Sequence, residues 1–440
     1  MKQALTTGRV LRFYLPLAVN STLMLIETPV VTAGIARLPD AELQLAAFGM
    51  MYALVYTFVN FGVPLIHAGN ALGRTRAMFG RLTRFALAVC VFITLLSAAV
   101  YFTPAYYSVM EGLLGAPGDV AAAALPGTQM MVAVAFPIAW RRFLDGVLIR
   151  HGYTGIVGWC TLIRAATLLG VVAAGVEMRR FSGVQVACAA LMLSATVECA
   201  VVSAITWLIV RRKGAIRWDS NRSFDLSYGA ILRFFLPLAV MLVLTATVRP
   251  IISAAMARLP DPVLSLAAFP VAYSTFYLVF SPLYSLPQMV IALVKDGRSY
   301  ALVSRFVRLA CIAGWLFLLL ATFSPLIDLY LLTLLGVPAN VRSAAIPAVR
   351  VMAFYILIAG WQSQSQGVLV AARRTGATQL ATSVNVAALA LVLAVGVALG
   401  GLPGVLVGAL AYVLGFAAEA ATLRWRARLS VRQIFAISGR

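Results

Sequence analysis

Residues 11–48, LRFYLPLAVNSTLMLIETPVVTAGIARLPDAELQLAAF, recur as residues 232–269, LRFFLPLAVMLVLTATVRPIISAAMARLPDPVLSLAAF, with 21 identities over 38 positions and no gap. The offset of 221 residues persists along the chain. LLGAPGDVAAAALP at 113–126 falls on LLGVPANVRSAAIP at 334–347. Trp140 falls on Trp361, Gly146 on Gly367, Gly155 on Gly376 and Glu198 on Glu419. Self-similarity at one fixed offset means one structural module used twice. Whatever the module folds into must close as a pair, and functional asymmetry has to reside where the copies differ.

The environment of that pair follows from its charges. Of 440 residues, 62% are hydrophobic and 11% charged, where a soluble domain carries about a quarter charged residues. Most of the surface must therefore meet lipid. The formal net charge of +21 does not indicate nucleic-acid binding, because the basic residues stand in short clusters between apolar runs, as membrane topology requires. The apolar run after Met1–Val10 lacks a small-residue cleavage site, so no removable signal peptide is expected. Five cysteines lie in apolar runs without ligand spacing, and neither a disulfide framework nor a metal centre is expected.

A spanning helix needs about 20 mostly apolar residues. Twelve such runs are read, at 10–36, 43–66, 84–103, 127–149, 156–176, 183–210, 231–257, 264–292, 305–325, 346–370, 377–398 and 403–423. The expected fold is an all-α integral membrane protein of twelve transmembrane helices in two parallel six-helix repeats. It divides into a first lobe at 1–210, a linker at 211–230, a second lobe at 231–423 and a basic tail at 424–440, which reads either as an interfacial amphipathic helix or as a solvated end. An even number of spans per copy gives both copies one orientation, related by an axis along the membrane normal. One set of connections carries 25 Lys and Arg residues and the opposite set six. That bias places both termini in the cytoplasm of a multi-pass inner (plasma) membrane protein.

Eight ionisable residues fall inside or just inside the apolar spans: Glu27, Arg141, Arg142, Asp145, Arg164, Glu198, Arg249 and Glu419. A charge at that depth is costly unless it meets a partner or a cavity, so these are the default candidates. Arg141 and Arg142 precede Asp145 by four and three residues, a spacing that allows simple pairing on one helix face. The second copy answers this cluster with neutral Gln362, Ser363 and Gln366, and answers Arg164 with Asn385. Gln362 and Gln366 read either as interhelical glue or as the opposite lining of one cavity. Glu198 and Glu419 are equivalent, which favours packing or gating over substrate choice. Glu27 and Arg249 lie beside the equivalent prolines Pro29 and Pro250, each expected to break its helix near the midplane. His67 and His151 read as structural or interfacial. No phosphate-binding loop, nucleophile–base motif or dinucleotide turn is present, so an enzyme is not expected and no cofactor is implied.

The stretches FYLPL (Phe13–Leu17), IETPVVTAGIA (Ile26–Ala36), LAAFGMMYAL (Leu45–Leu54), AFP (Ala135–Pro137), GVLIRHGYTGIVG (Gly146–Gly158), FFLPLA (Phe234–Ala239), VRPII (Val248–Ile252) and GFAAE (Gly415–Glu419) together resemble the progressive ankylosis (ANK) family, within the multidrug/oligosaccharidyl-lipid/polysaccharide exporter superfamily that includes the MATE transporters. Glu27, Arg249, Pro250, His151 and Glu419 match the family pattern. The resemblance implies a V-shaped, two-lobed transporter working by alternating access and exporting anions such as pyrophosphate, nucleotide or citrate-like carboxylates.

Independently of the resemblance, four arginines at membrane depth suit a multivalent anion, since the guanidinium fork matches carboxylate and phosphate. The expected partners are a small anionic substrate and the bilayer, with no nucleic acid and no obligate protein partner. The alternatives are a flippase for a lipid-linked precursor or a MATE-like exporter of cationic drugs. Substrate contacts are expected from Glu27, Arg249, Arg164, Arg141, Arg142, Asp145, Gln362, Gln366 and Asn385, and gating or structural roles from Pro29, Pro250, Glu198 and Glu419. Glu27 and Arg249 read either as a structural ion pair that closes the outer half of the cleft or as a pair that holds until an anion displaces Glu27 from Arg249. On the second reading a proton taken up by the released carboxylate would couple transport to pH, although the sequence leaves the coupling ion unknown.

Overall fold

The computed structural model describes residues 6–212, 218, 227–294, 297–371 and 375–437; most of the expected linker, and the side chains of the expected amphipathic tail beyond Ala427, lie outside what it describes. The first copy forms α1 (Thr7–Leu25), α2 (Glu27–Ala36), α3 (Ala41–Gly62), α4 (Leu65–Leu72), α5 (Arg76–Tyr101), α6 (Ala105–Tyr107), α7 (Gly118–Met130), α8 (Ala135–Arg150), α9 (Thr154–Met178) and α10 (Gly183–Arg211). The second forms α11 (Tyr228–Ala246), α12 (Val248–Met256), α13 (Pro262–Phe280), α14 (Leu286–Leu293), α15 (Gly297–Phe323), α16 (Pro325–Leu329), α17 (Ala339–Ala371), α18 (Thr375–Leu399) and α19 (Gly404–Ile437). The described residues contain no strand, as expected for a chain that must satisfy its backbone within each spanning segment.

The repeat is kept at the level of the backbone. The bounds of α1, α4 and α9, shifted by 221, are those of α11, α14 and α18. Left-handed residues recur at the same offset: Asp40 (φ 53°) with Asp261 (φ 51°), Gly115 (67°) with Gly336 (71°), and Arg179 (49°) with Gly400 (60°). The last pair shows that the turn geometry belongs to the module, because the first copy adopts it even with an arginine. The equivalent glycines Gly146 and Gly367 mark close helix approaches. A Cβ on Gly146 would collide with the carbonyl oxygen of Ile66, and one on Gly367 would stand 2.5 Å from Val290 Cγ1.

Ten helices among the described residues are long and apolar enough to cross a membrane, and the bent pair α7 and α8 makes an eleventh span. At the twelfth expected position, 231–257, stand α11 and α12, of which Tyr228–Val240 is a short apolar helix.

Proline chemistry explains three interruptions. α1 stops at Leu25, four residues before Pro29, and α11 stops at Ala246, four before Pro250. A proline lacks the N–H that would bond that carbonyl, and its ring crowds it. The third has no counterpart in the second copy. Met131–Val134 separates α7 from α8 with a bend of 50° just ahead of Pro137. The equivalent of Pro137 is Ile358, and α17 runs unbroken for 33 residues.

The chain folds into two compact units, one comprising Met1–Ala33 with Ala255–Arg440 and the other Gly34–Ala254. This differs from a division at the end of the first copy, because each unit contains the first helix of the other copy. The packing responsible is itself repeated. In one unit Tyr14 of α1 meets Phe306 of α15 edge-on at 5.2 Å and donates to the carbonyl of Pro282 at 3.0 Å. In the other, Phe235 of α11, the equivalent of Tyr14, meets Phe85 of α5, the equivalent of Phe306, at 5.4 Å. Helices that are apolar on every side carry no face that names a partner, so this assignment comes from ring complementarity.

Candidate functional site

The unit Gly34–Ala254 holds a five-residue ionic cluster, buried except for half-buried Arg142. Bent helix α8 supplies Arg141, Arg142 and Asp145, α9 supplies Arg164, and α10 supplies Glu198. Glu198 is fully buried, Asp145 is 1% exposed, Arg141 3% and Arg164 7%. Each Glu198 oxygen takes one guanidinium: Arg141 Nη1 donates to Oε1 at 2.7 Å and Arg164 Nη1 to Oε2 at 3.4 Å. Arg141 also faces Asp145 Oδ2 at 3.7 Å, one helical turn along. The expected i to i+4 pair therefore exists, but the dominant partner of Arg141 is 57 residues away. Such a charge survives at depth because it is paired and hydrogen-bonded.

The cluster is not balanced. Three guanidiniums face two carboxylates. Among the described residues Arg142 has neither an ion pair nor a hydrogen-bond partner for its buried Nε, and neither oxygen of Asp145 accepts a hydrogen bond. One positive charge and several hydrogen-bonding sites remain uncommitted.

The equivalent place in the other unit is built from the same carboxylate and different partners. Glu419 on α19 is 8% exposed, and Asn385 Nδ2 of α18 donates to its Oε2 at 2.7 Å, where the first copy has Arg164. Gln362, at the position of Arg141, accepts from Tyr355 Oη at 2.9 Å and faces the carboxylate together with Thr382. Gly415 makes room for Asn385, whose Oδ1 lies 2.6 Å from where a Cβ would stand. Gln366 makes no hydrogen bond among the described residues.

The walls differ as well. Buried Tyr355, Tyr412, Phe276 and Phe280 form an aromatic group with half-buried Phe416, with Tyr355 and Phe416 centroids 4.7 Å apart and Tyr412 and Phe416 4.8 Å apart. At the equivalent positions the first copy has Val134, Leu191, Ala195, Val55 and Val59. Sequence reasoning passed over Tyr355 and Thr382. The available signal was that Tyr355 precedes Gln362 by two helical turns on one face.

Glu27 is the first residue of α2 and Arg249 the second of α12, each just past its proline-induced break. Arg249 lies with its guanidinium 4.8 Å from the ring of Tyr52, itself stacked on Tyr56 at 3.9 Å. Tyr273 and Tyr277 repeat that stack at 4.3 Å. Glu27 belongs to the unit containing the second copy and Arg249 to the other. Pro29 is buried. His151 meets Trp218 edge-on, with ring centroids 5.0 Å apart.

No family model matches the sequence, and no curated protein matches it. The fold does have solved counterparts. It is similar to the inward-facing conformation of a multidrug resistance MATE family transporter of the MOP superfamily (TM-score 0.70, 16% identity, covering 94% of this chain and 95% of that one). It is also similar to the outward-facing conformation of such a transporter (TM-score 0.67, 17% identity, 97% and 96% covered). A third is a MOP superfamily transporter from Pyrococcus furiosus Vc1, described as having a binding pocket of reverse polarity that suggests a different function (TM-score 0.61, 15% identity, 97% and 96% covered). The chain thus has the two-repeat helical fold seen in MATE transporters over nearly its whole length.

Proposed function

We propose that this protein is an alternating-access secondary transporter, not an enzyme, that exports an organic or polyphosphate anion across the inner (plasma) membrane. The observation that carries this reading is the unbalanced cluster of Arg141, Arg142 and Arg164 against Asp145 and Glu198, answered in the second copy by neutral amides. Arg141 and Arg164 are held by Glu198, so Arg142 is the guanidinium with capacity for a substrate carboxylate or phosphate. Arg249, presented on the Tyr52 ring just beyond a helix break, is a second anchor. A proton as coupling ion belongs to this proposal. The fold supports alternating access, since its neighbours were captured inward-facing and outward-facing. The Pyrococcus furiosus neighbour is a precedent for a changed pocket polarity on this scaffold. The 25-to-6 distribution of basic residues puts both termini in the cytoplasm, and a cysteine placed at Asp119 should then label from outside intact cells.

One observation favours a second reading. Glu419 and the aromatic group around Tyr355 give the second copy an acidic, ring-rich environment, which suits an organic cation and so a MATE-like multidrug exporter. Uptake by proteoliposomes offered citrate, pyrophosphate, ATP and an ethidium-type cation decides between them. Saturable uptake of at least one anion, weakened about 10–100-fold in Arg142→Gln, is expected. Transport of the cation alone would overturn the anion reading.

A further inference from the structure

Glu198 and Glu419 share one position in the two copies, and their surroundings decide whether a proton has a place there. Glu198 is fully buried and holds one guanidinium on each oxygen, Arg141 at 2.7 Å and Arg164 at 3.4 Å. A guanidinium is always charged and only donates hydrogen bonds, so it offers nothing to a carboxylic O–H. Glu198 is thereby fixed as a carboxylate. Glu419 keeps 8% exposure, and among the described residues no cation pairs with it. Asn385 Nδ2 donates to its Oε2 at 2.7 Å. Gln362 and Thr382, both half-buried, are its other hydrogen-bonding neighbours. The Gln362 oxygen already accepts from Tyr355 Oη at 2.9 Å, which leaves its amide N–H groups for the carboxyl.

Thr382 is the informative neighbour. Its Oγ1 donates to the carbonyl of Thr378 at 3.2 Å. A hydroxyl carries one proton. With that proton on Thr378, the Thr382 oxygen meets Glu419 as an acceptor, and the hydrogen between them has to come from the carboxyl. The equivalent Thr161 donates to the Val157 carbonyl in the same way, at 3.1 Å, so the orientation belongs to the module. What the second copy lacks is the pair of arginines that would keep the carboxyl ionised. The helices packed against α19 here are α17, α18 and α13. Their titratable groups at this place are phenols, neutral at physiological pH: Tyr355 of α17, and Tyr273 and Tyr277 of α13, with Tyr273 set against Tyr412 of α19 at 5.9 Å. Arg424, five residues along α19, is turned to the Trp361 ring at 5.0 Å. An ionised Glu419 is thus an uncompensated buried charge, which a bound proton removes.

We propose that Glu419 is a proton-binding site, its carboxyl gaining and losing a proton against Thr382, Gln362 and Asn385 while Glu198 stays ionised. The proton comes from water and returns to it. The acid donates its O–H to Thr382 Oγ1, whose own proton lies on the Thr378 carbonyl. The carboxylate accepts from the same hydroxyl once that has rotated. The two amides donate to either form, since the acid keeps a carbonyl oxygen. As the site of the coupling ion, Glu419 rests on the transporter reading above; as a site of proton binding it does not.

Infrared difference spectroscopy of the purified full-length chain in detergent micelles, stepped in pH without substrate, reads the carbonyl stretch of a protonated carboxylic acid. A band that appears on acidification of the folded protein and is missing from Glu419→Gln is expected. Thr382→Val should move that band to higher frequency, because the acid O–H loses its acceptor. Gln362→Arg installs the residue that the first copy has there, and should raise the proton concentration needed for the band at least about tenfold; Thr382→Val serves alone if that variant does not fold. Exchanging sodium chloride for choline chloride at fixed pH should change nothing. No band lost in Glu419→Gln, a band indifferent to Thr382→Val or to a folded Gln362→Arg, or a band abolished by sodium would each overturn the proposal. Proteoliposome uptake of citrate, pyrophosphate or ATP under an imposed pH gradient then tests the coupling role. Uptake by Glu419→Gln should no longer respond to the gradient, and a retained response would overturn that role. The band without any anion uptake would overturn the anion reading and leave the proton site standing.

Discussion

Glu198 and Glu419 occupy one position in the two copies, yet removing their charge should have very different consequences. Glu198→Gln leaves Arg141 and Arg164 buried, with Asp145 at 3.7 Å from Arg141 as the remaining counter-charge. Breaking a buried ion pair by neutralising one partner costs about 3–5 kcal/mol. Glu419→Gln removes a charge whose partner is an amide, Asn385 at 2.7 Å. The loss of a charge-assisted hydrogen bond, about 1.5–3 kcal/mol, is offset by no longer burying the carboxylate, so the net change should lie within about 1 kcal/mol. The gap between the variants is then about 3 kcal/mol, roughly a hundredfold in the folded-to-unfolded ratio. Reversible denaturation of purified protein in mixed detergent micelles measures it. A second variant isolates the cause. Arg141→Gln with Arg164→Asn rebuilds in the first copy the amide partners of the second, and in that background Glu198→Gln should cost no more than Glu419→Gln does. Equal destabilisation by the two single changes, or a Glu198→Gln penalty that persists in the amide background, would refute the argument that the guanidiniums set the cost.

Other outcomes follow from individual contacts. Arg142→Gln should leave the unfolding midpoint unchanged while weakening anion uptake about 10–100-fold, the equivalent of one charge-assisted hydrogen bond; proteoliposome flux beside thermal unfolding separates the two effects. Pro137→Ala restores the missing backbone donor, so spin labels on α7 and α8 should report a bend well below the present 50°. Gly415→Ala places a Cβ 2.6 Å from Asn385 Oδ1 and should destabilise by about 1–3 kcal/mol, whereas Gly155→Ala, where no heavy atom lies within 4 Å of the new Cβ, should be near neutral.

The prolines show how far local chemistry carries a reading. Pro29 and Pro250 mark their breaks in the sequence because the clash and the missing donor act within four residues of the ring. The bend ahead of Pro137 has the same cause, but it was not read from the sequence, where hydropathy gives 127–149 as one continuous span, and it is the structure that shows it. The 221-residue offset likewise determines helix bounds and left-handed turns in pairs, since both depend on residues near in sequence. Hydropathy determines that the chain spans a membrane, because the cost of exposing apolar surface to water depends on composition and not on partners.

Partnership was a different matter. The sequence identifies Arg141, Arg164 and Glu198 as costly at depth, and only the packing of α8, α9 and α10 shows that both guanidiniums serve one carboxylate. The sequence equates Tyr14 with Phe235, and only the packed rings assign α1 to the unit of the second copy and α11 to that of the first. In lipid, helices apolar on all sides gain nothing from hiding one face over another. The choice of neighbour is left to a few hydrogen bonds, ion pairs and ring contacts between residues tens to hundreds of positions apart, and these exist only once the helices have met.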